Sequence, residues 1–250
     1  EAVYGEKDNR VQDAHQYVDL SYHEGIGPWT ITLQAYWDHY TYRDFYHYAD
    51  PDSSEYGVPA YLNPWRGEPF WWGGEIRSLY ASPGLKLLLG AAYQHRRVSQ
   101  SVWVESLDGE TLDVVGLTYP AVTQDVFAPY GQVEAISSLG RLSVGARYDR
   151  YSDYGGIITP RIGSVVNMPG GIALKLIYSK AFRAPSIYEA YMEDSTSCLA
   201  NPSLRPEIIE GSEAHLLWAR GNALVDLGGF IQFIYDGIRD TIVDTVNTME

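Results

Sequence analysis

Apolar and polar residues alternate along most of this chain. In 172 to 180, Ile172, Leu174, Leu176 and Tyr178 fall on one side, with Ala173, Lys175, Ile177 and Ser179 on the other. In 141 to 148, Leu142, Val144, Ala146 and Tyr148 oppose Arg141, Ser143, Gly145 and Arg147. The same pattern sets Trp29, Ile31, Leu33, Ala35 and Trp37 against Thr30, Thr32, Gln34 and Asp38. It sets Leu85, Leu87, Leu89, Ala91 and Tyr93 against Lys86 and Gln94. It recurs in 223 to 236, where Val225, Leu227, Ile231, Phe233 and Tyr235 oppose Asp226, Gln232 and Asp236. Near the start, Ala14, Val18, Leu20 and Tyr22 share a side. A period of two is the mark of a strand with two different faces. The pattern is weaker near 71 to 80, and Pro129 and Pro160 interrupt 125 to 137 and 157 to 167, where each removes a ladder donor. The pattern predicts about ten strands in five hairpins.

The connections alternate in length. Short turns are expected at Gly25-Ile26-Gly27-Pro28, Ser82-Pro83-Gly84, Ser138-Leu139-Gly140, Met168-Pro169-Gly170-Gly171 and Arg220-Gly221-Asn222. Long connections are expected at about 41 to 70, 98 to 124, 184 to 205 and from 236 onward, and only 151 to 156 is brief. Alternating short and long connections suit an outer-membrane barrel, with tight turns at one end and long loops at the other. Aromatics frame the apolar stretches. Trp29 and Trp218 adjoin short turns, while Tyr93, Tyr148, Tyr178 and Tyr235 close the opposite ends. The polar faces carry Lys, Arg, Asp and Gln, which a second packed core would not hold. The expected fold is all-β: a transmembrane antiparallel β-barrel, of which these strands form part.

Composition narrows the classes. Hydrophobic residues make up 45% and aromatic residues 14%, weighted to 21 Tyr and 7 Trp against 6 Phe. Rings with a polar tip suit a boundary between dry and wet surroundings. A net charge of −14 argues against a nucleic-acid partner, which needs a basic footprint. No run of about 18 apolar residues reads as a membrane helix. The single cysteine, Cys198, is expected to be an unpaired loop thiol. Glu1 opens in polar sequence without a start methionine, and the expected reading is a fragment of a longer chain.

Between 120 and 210 the sequence becomes specific. It reads Phe127-Ala128-Pro129-Tyr130-Gly131-Gln132, then Gly145-Ala146-Arg147-Tyr148-Asp149, then Thr159-Pro160-Arg161-Ile162-Gly163. Tyr178 through Lys180 lead into Ala181-Phe182-Arg183-Ala184-Pro185-Ser186, and Asn201-Pro202-Ser203-Leu204-Arg205-Pro206-Glu207 follows. This order resembles the barrel of TonB-dependent outer-membrane receptors. The resemblance implies that residues 1–250 are about ten strands of a 22-stranded barrel, with the plug domain and the final strands outside this stretch. It implies a Gram-negative outer membrane, energised import through the plug and the TonB complex, and no enzyme activity or resident cofactor. The ligand it implies is an iron-siderophore complex or, second, cobalamin or another substrate of this uptake system. Pro160, Arg161, Phe182, Arg183, Ala184, Pro185, Asn201, Pro202, Leu204, Pro206 and Glu207 are then family-motif positions with structural roles. Pro185 would end strand pairing, and Arg183 would anchor carboxylates of the lumen or plug.

Ligand contact is expected in the loop from 41 to 70, at Tyr42, Tyr46, Tyr48, Tyr56, Tyr61, Trp65 and Arg66, where stacking and cation–π contact could grip a planar ligand. Packing of loop on loop above the rim is the other reading of the same rings. The nearby acids Asp44, Asp50, Asp52 and Glu55 lack the spacing of a calcium loop and are expected to be solvated surface. The histidines show no metal-ligand spacing, and Ser186 and Ser195 lack the turn of a hydrolase nucleophile. A passive porin, a ten-stranded barrel protease and a soluble aromatic-rich module are the competing classes.

Overall fold

The computed structural model of the protein describes residues 9–49, 60–102, 104–106, 111–113, 119–193, 198–243 and 246–249. Ten long strands carry the fold. They are β1 (Arg10–Ile26), β2 (Trp29–Phe45), β3 (Phe70–Ser82), β4 (Leu85–Val102), β5 (Tyr119–Ser137), β6 (Gly140–Tyr151), β7 (Gly155–Met168), β8 (Ile172–Arg183), β9 (Glu207–Arg220) and β10 (Ala223–Tyr235). Each pairs antiparallel with the next in chain order, a meander without crossovers. The five expected hairpins are therefore present, and their tight turns fall where the Gly and Pro signals stood. Gly27 and Gly221 adopt positive φ, as do Gly170 and Gly171, which is why those turns need glycine.

The register joins the alternating stretches into two continuous faces. Directly paired residues of an antiparallel ladder share a face. Leu33 lies opposite Ile76, Ile76 opposite Ala91, Leu87 opposite Val133 and Val133 opposite Val144. Val144 meets Ile162, Val166 meets Leu174, Leu174 meets Leu216 and Leu216 meets Leu227. All the apolar sets thus lie on one side of one sheet. No second sheet covers them among the described residues: Leu142 is 49% exposed, Leu227 72% and Phe233 50%. A sandwich would have hidden these side chains. In a single wall they can be dry only against lipid.

The turns carry a second regularity. Trp29 opens β2 opposite Tyr80, yet β3 runs two residues further, to Ser82. Leu85 opens β4 opposite Ala135, and β5 runs to Ser137. Gly140 meets Val166 and β7 runs to Met168; Ile172 meets Trp218 and β9 runs to Arg220. Every hairpin is displaced by two residues from its predecessor, one residue per strand. That ratio of shear to strand number is the one that tilts the strands of a closed barrel by about 36°. The aromatic band at the far end drops in the same sense: Trp37 is opposite Trp72, but the next rings, Tyr93 and Phe127, sit two residues closer to the turns. Trp29 to Trp37 covers about 27 Å of strand, or about 22 Å along a tilted axis, close to the roughly 25 Å apolar band of an outer-membrane barrel. Ring contacts stitch both belts, Trp29 with Tyr80 at 5.1 Å and Trp72 with Tyr93 at 5.5 Å.

Several elements differ from expectation. β3 is a firm strand, because Gly73 and Gly74 break the apolar rhythm without breaking the ladder. β2 and β4 run far past the apolar band, so much of the expected loops is strand. Trp65–Gly67 continues the line of β3 in unchanged register against Tyr42 to Asp44, interrupted only at Glu68 and Pro69, since Pro69 has no N–H to donate. A small sheet of His47–Ala49, Ala60–Leu62, Val104–Ser106 and Thr111–Asp113 stands beyond it. The two internal prolines stay in their strands by silencing one neighbour each. The β5–β6 ladder skips Ala128 and Pro129 while the β4–β5 ladder is complete there. The β7–β8 ladder stops at Arg161, next to Pro160.

Candidate functional site: the loop-end inner wall

The inner face is built by the residues between the lipid-facing ones. On β1 and β2 it is acidic and aromatic. The His15 ring meets Asp38 Oδ1 at 3.0 Å, the Gln34 amide donates to Asp19 Oδ2 at 2.7 Å, and the Tyr40 hydroxyl donates to Asp13. Trp71 from β3 lies 6.0 Å from the His15 ring. From β4 to β8 the inner face turns basic, with Arg96, Arg147 and Arg161 at this end.

Two tyrosines bridge three strands each. Tyr36 on β2 lies across Gly73 on β3, and its hydroxyl accepts from Gln94 Nε2 on β4 at 3.1 Å. Tyr130 on β5 lies across Gly90 on β4, and its hydroxyl donates to Glu75 on β3. The glycines are required by the rings: a Cβ on Gly90 would stand 2.2 Å from Tyr130 Cζ. The guanidinium of Arg147 sits 5.7 Å above the Tyr130 ring and is ion-paired to Asp149 at 2.8 Å. Where Pro160 ends the β7–β8 ladder, the wall opens into a concavity of about 490 Å³ lined by Tyr130, Gln132, Arg147, Thr159, Arg161 and Ser179, among others. Phenol, guanidinium and hydroxyl groups converge there, a donor-rich surface suited to an oxygen-rich solute or a plug carboxylate.

The expected loop-41-to-70 ligand residues divide. Tyr42 is in β2 and faces inward with Asp44, to which it donates at 2.6 Å; Trp65 N also donates to Asp44, at 3.0 Å. Asp44 is 5% exposed, so it is not solvated surface as the sequence suggested but the carboxylate that ties the strands of this corner. The Tyr42 phenol is pushed well above its ordinary range by this hydrogen bond and by burial. Trp65 pairs directly with Asp44 and shares its face. Arg66, one residue on, points to the opposite face, where it pairs with Glu68. The structure therefore brings Tyr42 and Trp65 together and separates Arg66 from them. Tyr46 is half-buried beside this corner, and its carbonyl accepts from Asn63 N at 3.1 Å. Tyr48 and Tyr61 face each other in the backbone pairing of the small sheet; their side chains, and all of Tyr56, lie outside the described residues. Asp50, Asp52, Glu55, Ser195 and the Cys198 side chain lie outside them too.

The two most specific motif stretches meet in one clasp at the rim. Arg183, the last residue of β8, donates from Nε to Glu207 at 2.5 Å and from Nη1 to both oxygens of Glu189 at 2.9 Å. Pro185, buried, follows after Ala184. Ser186 then caps a five-residue helix, α1 (Ile187–Tyr191): its hydroxyl accepts from Glu189 N at 3.1 Å, and Ser186 N donates back to Glu189 at 2.7 Å. Asn201 folds the second stretch, its side-chain oxygen accepting from Ser203 N and Oγ. Leu204 and Pro206 are buried, and Glu207 arrives opposite Arg183 while also accepting from Ile238 N at 2.8 Å. Carboxylates of the lumen or plug were expected on Arg183; the carboxylates it holds here are the chain's own Glu189 and Glu207 at the rim.

The clasp has a pH signature. The donors from Arg183 and the Ile238 amide hold Glu207 below the usual carboxylate range. Burial would raise Glu189, but Arg183 and Ser186 outweigh it and hold it low as well. A carboxylate with a depressed folded-state pKa contributes stability that is complete above its unfolded value, near 4.3, and is lost as pH falls through the lower folded value. The clasp should stay closed through the ordinary carboxylate range and open only as pH falls below it. Arg183→Ala should cost about 1–2 kcal/mol, since Arg183 is 44% exposed and solvent screens the pairs. Limited proteolysis between 186 and 205 should then run severalfold faster at pH 7. Unchanged cleavage would mean that the clasp does not hold the loop.

Among the described residues, no group of three or more His, Cys, Asp or Glu side chains is placed to hold a metal ion. With the wall, its stagger and the rim in view, the class is a membrane-spanning β-barrel built around a polar interior. Residues 2–249 match the family model described as TonB dependent receptor-like, beta-barrel, and the chain belongs to that family. No curated protein matches its sequence. It is similar to the copper transporter OprC (TM-score 0.72, 13% identity), covering 97% of this chain and 42% of that one. It is similar to the siderophore receptor PirA from Acinetobacter baumannii (TM-score 0.68, 14% identity, 96% and 39% covered). It is also similar to the ferric-catecholate import receptor Fiu from K12 E. coli (TM-score 0.62, 11% identity, 98% and 44% covered). At such identities the likeness is one of fold. The chain spans about two fifths of the length of these structures. The family is one of receptors and not of barrel proteases.

Proposed function

We propose that this chain forms part of the barrel wall of a Gram-negative outer-membrane receptor that imports a scarce nutrient, and that the nutrient is an iron-siderophore complex. The observation that carries the reading is the loop-end inner wall. Tyr36, Tyr40, Tyr42, Trp65 and Trp71 offer ring faces on the β2–β3 side, Arg96 pairs directly with Trp71, and Arg147 and Arg161 offer donors further along the wall beside Tyr130. Rings stack on planar ligand groups, and guanidinium forks bind the oxygen-rich periphery of a metal chelate. The iron here is cargo, held by its own chelator. The fold likeness to PirA, a siderophore receptor, and Fiu, a ferric-catecholate import receptor, supports the ligand class. A polar inner face also fits a plug domain seated in the lumen, through which the TonB complex would supply the pull. The aromatic-ringed outer face fits outer-membrane lipid.

The test is growth. A strain lacking the receptor is starved of iron and supplied with a panel of ferric catecholate and hydroxamate chelates, with and without the gene restored. A parallel arm limits cobalamin. Restored growth on one ferric chelate, lost again when TonB is absent, is the expected result. Restoration only by cobalamin would replace the ligand assignment, and growth independent of TonB would overturn energised import.

A further inference from the structure

We infer that the loop-end inner wall selects a dipolar cargo: a flat group laid across Trp71, with a cationic end toward β2 and an anionic end toward β4. The inference rests on the proposed uptake function and deepens it, by naming the charge pattern of what this wall receives. Its test uses no iron.

Register builds the site. Trp71 on β3 pairs directly with Asp38 on β2 and with Arg96 on β4. Directly paired residues share a face, so carboxylate, indole and guanidinium stand in one row on the inner wall. Neighbouring strands lie about 4.8 Å apart, which sets the strands of the two opposite charges about 10 Å apart with the ring between them. Trp71 is half-buried and keeps part of its ring open to the lumen. Beneath the row, Tyr36 crosses the gap left by Gly73, and its hydroxyl is already engaged by Gln94 Nε2 at 3.1 Å. The floor of the site is therefore uncharged.

The two ends differ in sign and in what they hold. Arg96 forms no ion pair among the described residues, and its buried Nε finds no hydrogen-bond partner there. A buried charged donor without an acceptor is costly, and an oxygen of the cargo would supply one. Asp153 does not fill that role. It is taken by the amide of Gln124, the residue paired with Arg96. The Tyr151 ring, 5.8 Å from the guanidinium, steadies Arg96 from the β6 side.

At the other end, Asp38 is 17% exposed and meets the His15 ring at 3.0 Å. The nearby inward acids Asp13 and Asp19 hold the Tyr40 hydroxyl and the Gln34 amide, both neutral donors. No Lys or Arg stands at an inward position of β1 or β2. The wall thus changes sign across β3, and Trp71 marks the change. A cargo of one sign would be drawn by one end and repelled by the other. A dipolar one satisfies both: its anionic oxygens accept from the Arg96 fork, its ammonium faces Asp38, and its flat middle stacks on the indole.

The experiment titrates the purified full-length receptor near neutral pH, by calorimetry, with a biphenyl bearing an aminomethyl group at one end and a carboxylate at the other. The same compound with its amine acetylated, and with its carboxylate methylated, are titrated beside it. Heat-shifted gel mobility checks that each variant is folded. The zwitterion should bind about tenfold tighter than either blocked form, the worth of one hydrogen bond between charged groups. Asp38→Asn should abolish the preference over the acetylated form and keep the preference over the ester. Arg96→Gln should do the reverse. Absent binding of the zwitterion, equal binding of the three compounds, or a variant that weakens all three alike would overturn the inference. Growth on a ferric chelate without this split would remove the dipolar seat and leave the proposed function standing. The split without growth on any ferric chelate would strike the ligand class and leave the seat.

Discussion

An arginine in place of Leu174 is expected to cost the folded receptor about 2–4 kcal/mol, the cost of a cation on the lipid face near the midplane of a barrel. Leu174 sits between Val166 and Leu216 in the sheet, inside the band that runs from the Trp218 level two residues away to Tyr178 four residues away. Its neighbour Ala173 points to the other side, between Asn167 and Leu217, on the face where Lys175 already stands. Ala173→Arg should therefore cost less than about 1 kcal/mol, because the cation stays in the wet interior. Depth should grade the effect on β4 as well. Leu89→Arg, at the middle of the Leu85–Tyr93 band, should exceed Leu85→Arg beside the turn. Urea titrations of the receptor in phospholipid vesicles, followed by tryptophan fluorescence, measure all four. Equal costs at Leu174 and Ala173 would remove the distinction between the faces, and with it the membrane assignment.

The strands and their faces were legible because alternation is a local property: Leu174 and Lys175 declare opposite environments without reference to any other strand. Register is not local. Nothing in the run 29 to 38 says that it lies two residues out of step with the next hairpin, so the stagger that sets the tilt appears only in the pairing. Loop boundaries were misjudged for a related reason. Beyond the membrane both faces of a strand are polar, the contrast vanishes, and Tyr42, a strand residue, looks like a loop residue. The five-residue α1 is too short to show a helical period, yet its capping box, Ser186 with Glu189, is plain in the sequence. Arg183 and Glu207 were each marked by motif, but 24 residues separate them and their meeting is a tertiary fact. Arg66 was grouped with Tyr42 and Trp65 by proximity in the chain. Once Trp65–Gly67 is seen to be strand, period two alone puts Arg66 on the opposite face.

Gly90→Val should destabilise the receptor by about 3 kcal/mol, a sum of overpacking and the loss of a hydrogen bond to a charged acceptor. The reason lies in the crossing of Tyr130 over β4. Three atoms of that side chain stand within 2.7 Å of where a Gly90 Cβ would be, so the ring must swing away, and in swinging it releases Glu75 on β3. Glu75 then keeps its charge on the inner wall without its phenol donor, and Arg147 loses the ring beneath it. The damage should spread along the inner wall from β3 to β6, whereas a β-branched residue ordinarily favours a strand. Intrinsic propensity and tertiary packing thus predict opposite signs at this position, which makes it a sharp test. The double variant Gly90→Val with Tyr130→Ala should be less destabilised than the sum of the singles by at least about 1 kcal/mol, because only one of the two side chains can occupy the space over β4. Strict additivity in urea titrations would show that ring and glycine are not coupled. The bridging of three strands by one tyrosine would then have no part in holding this wall together.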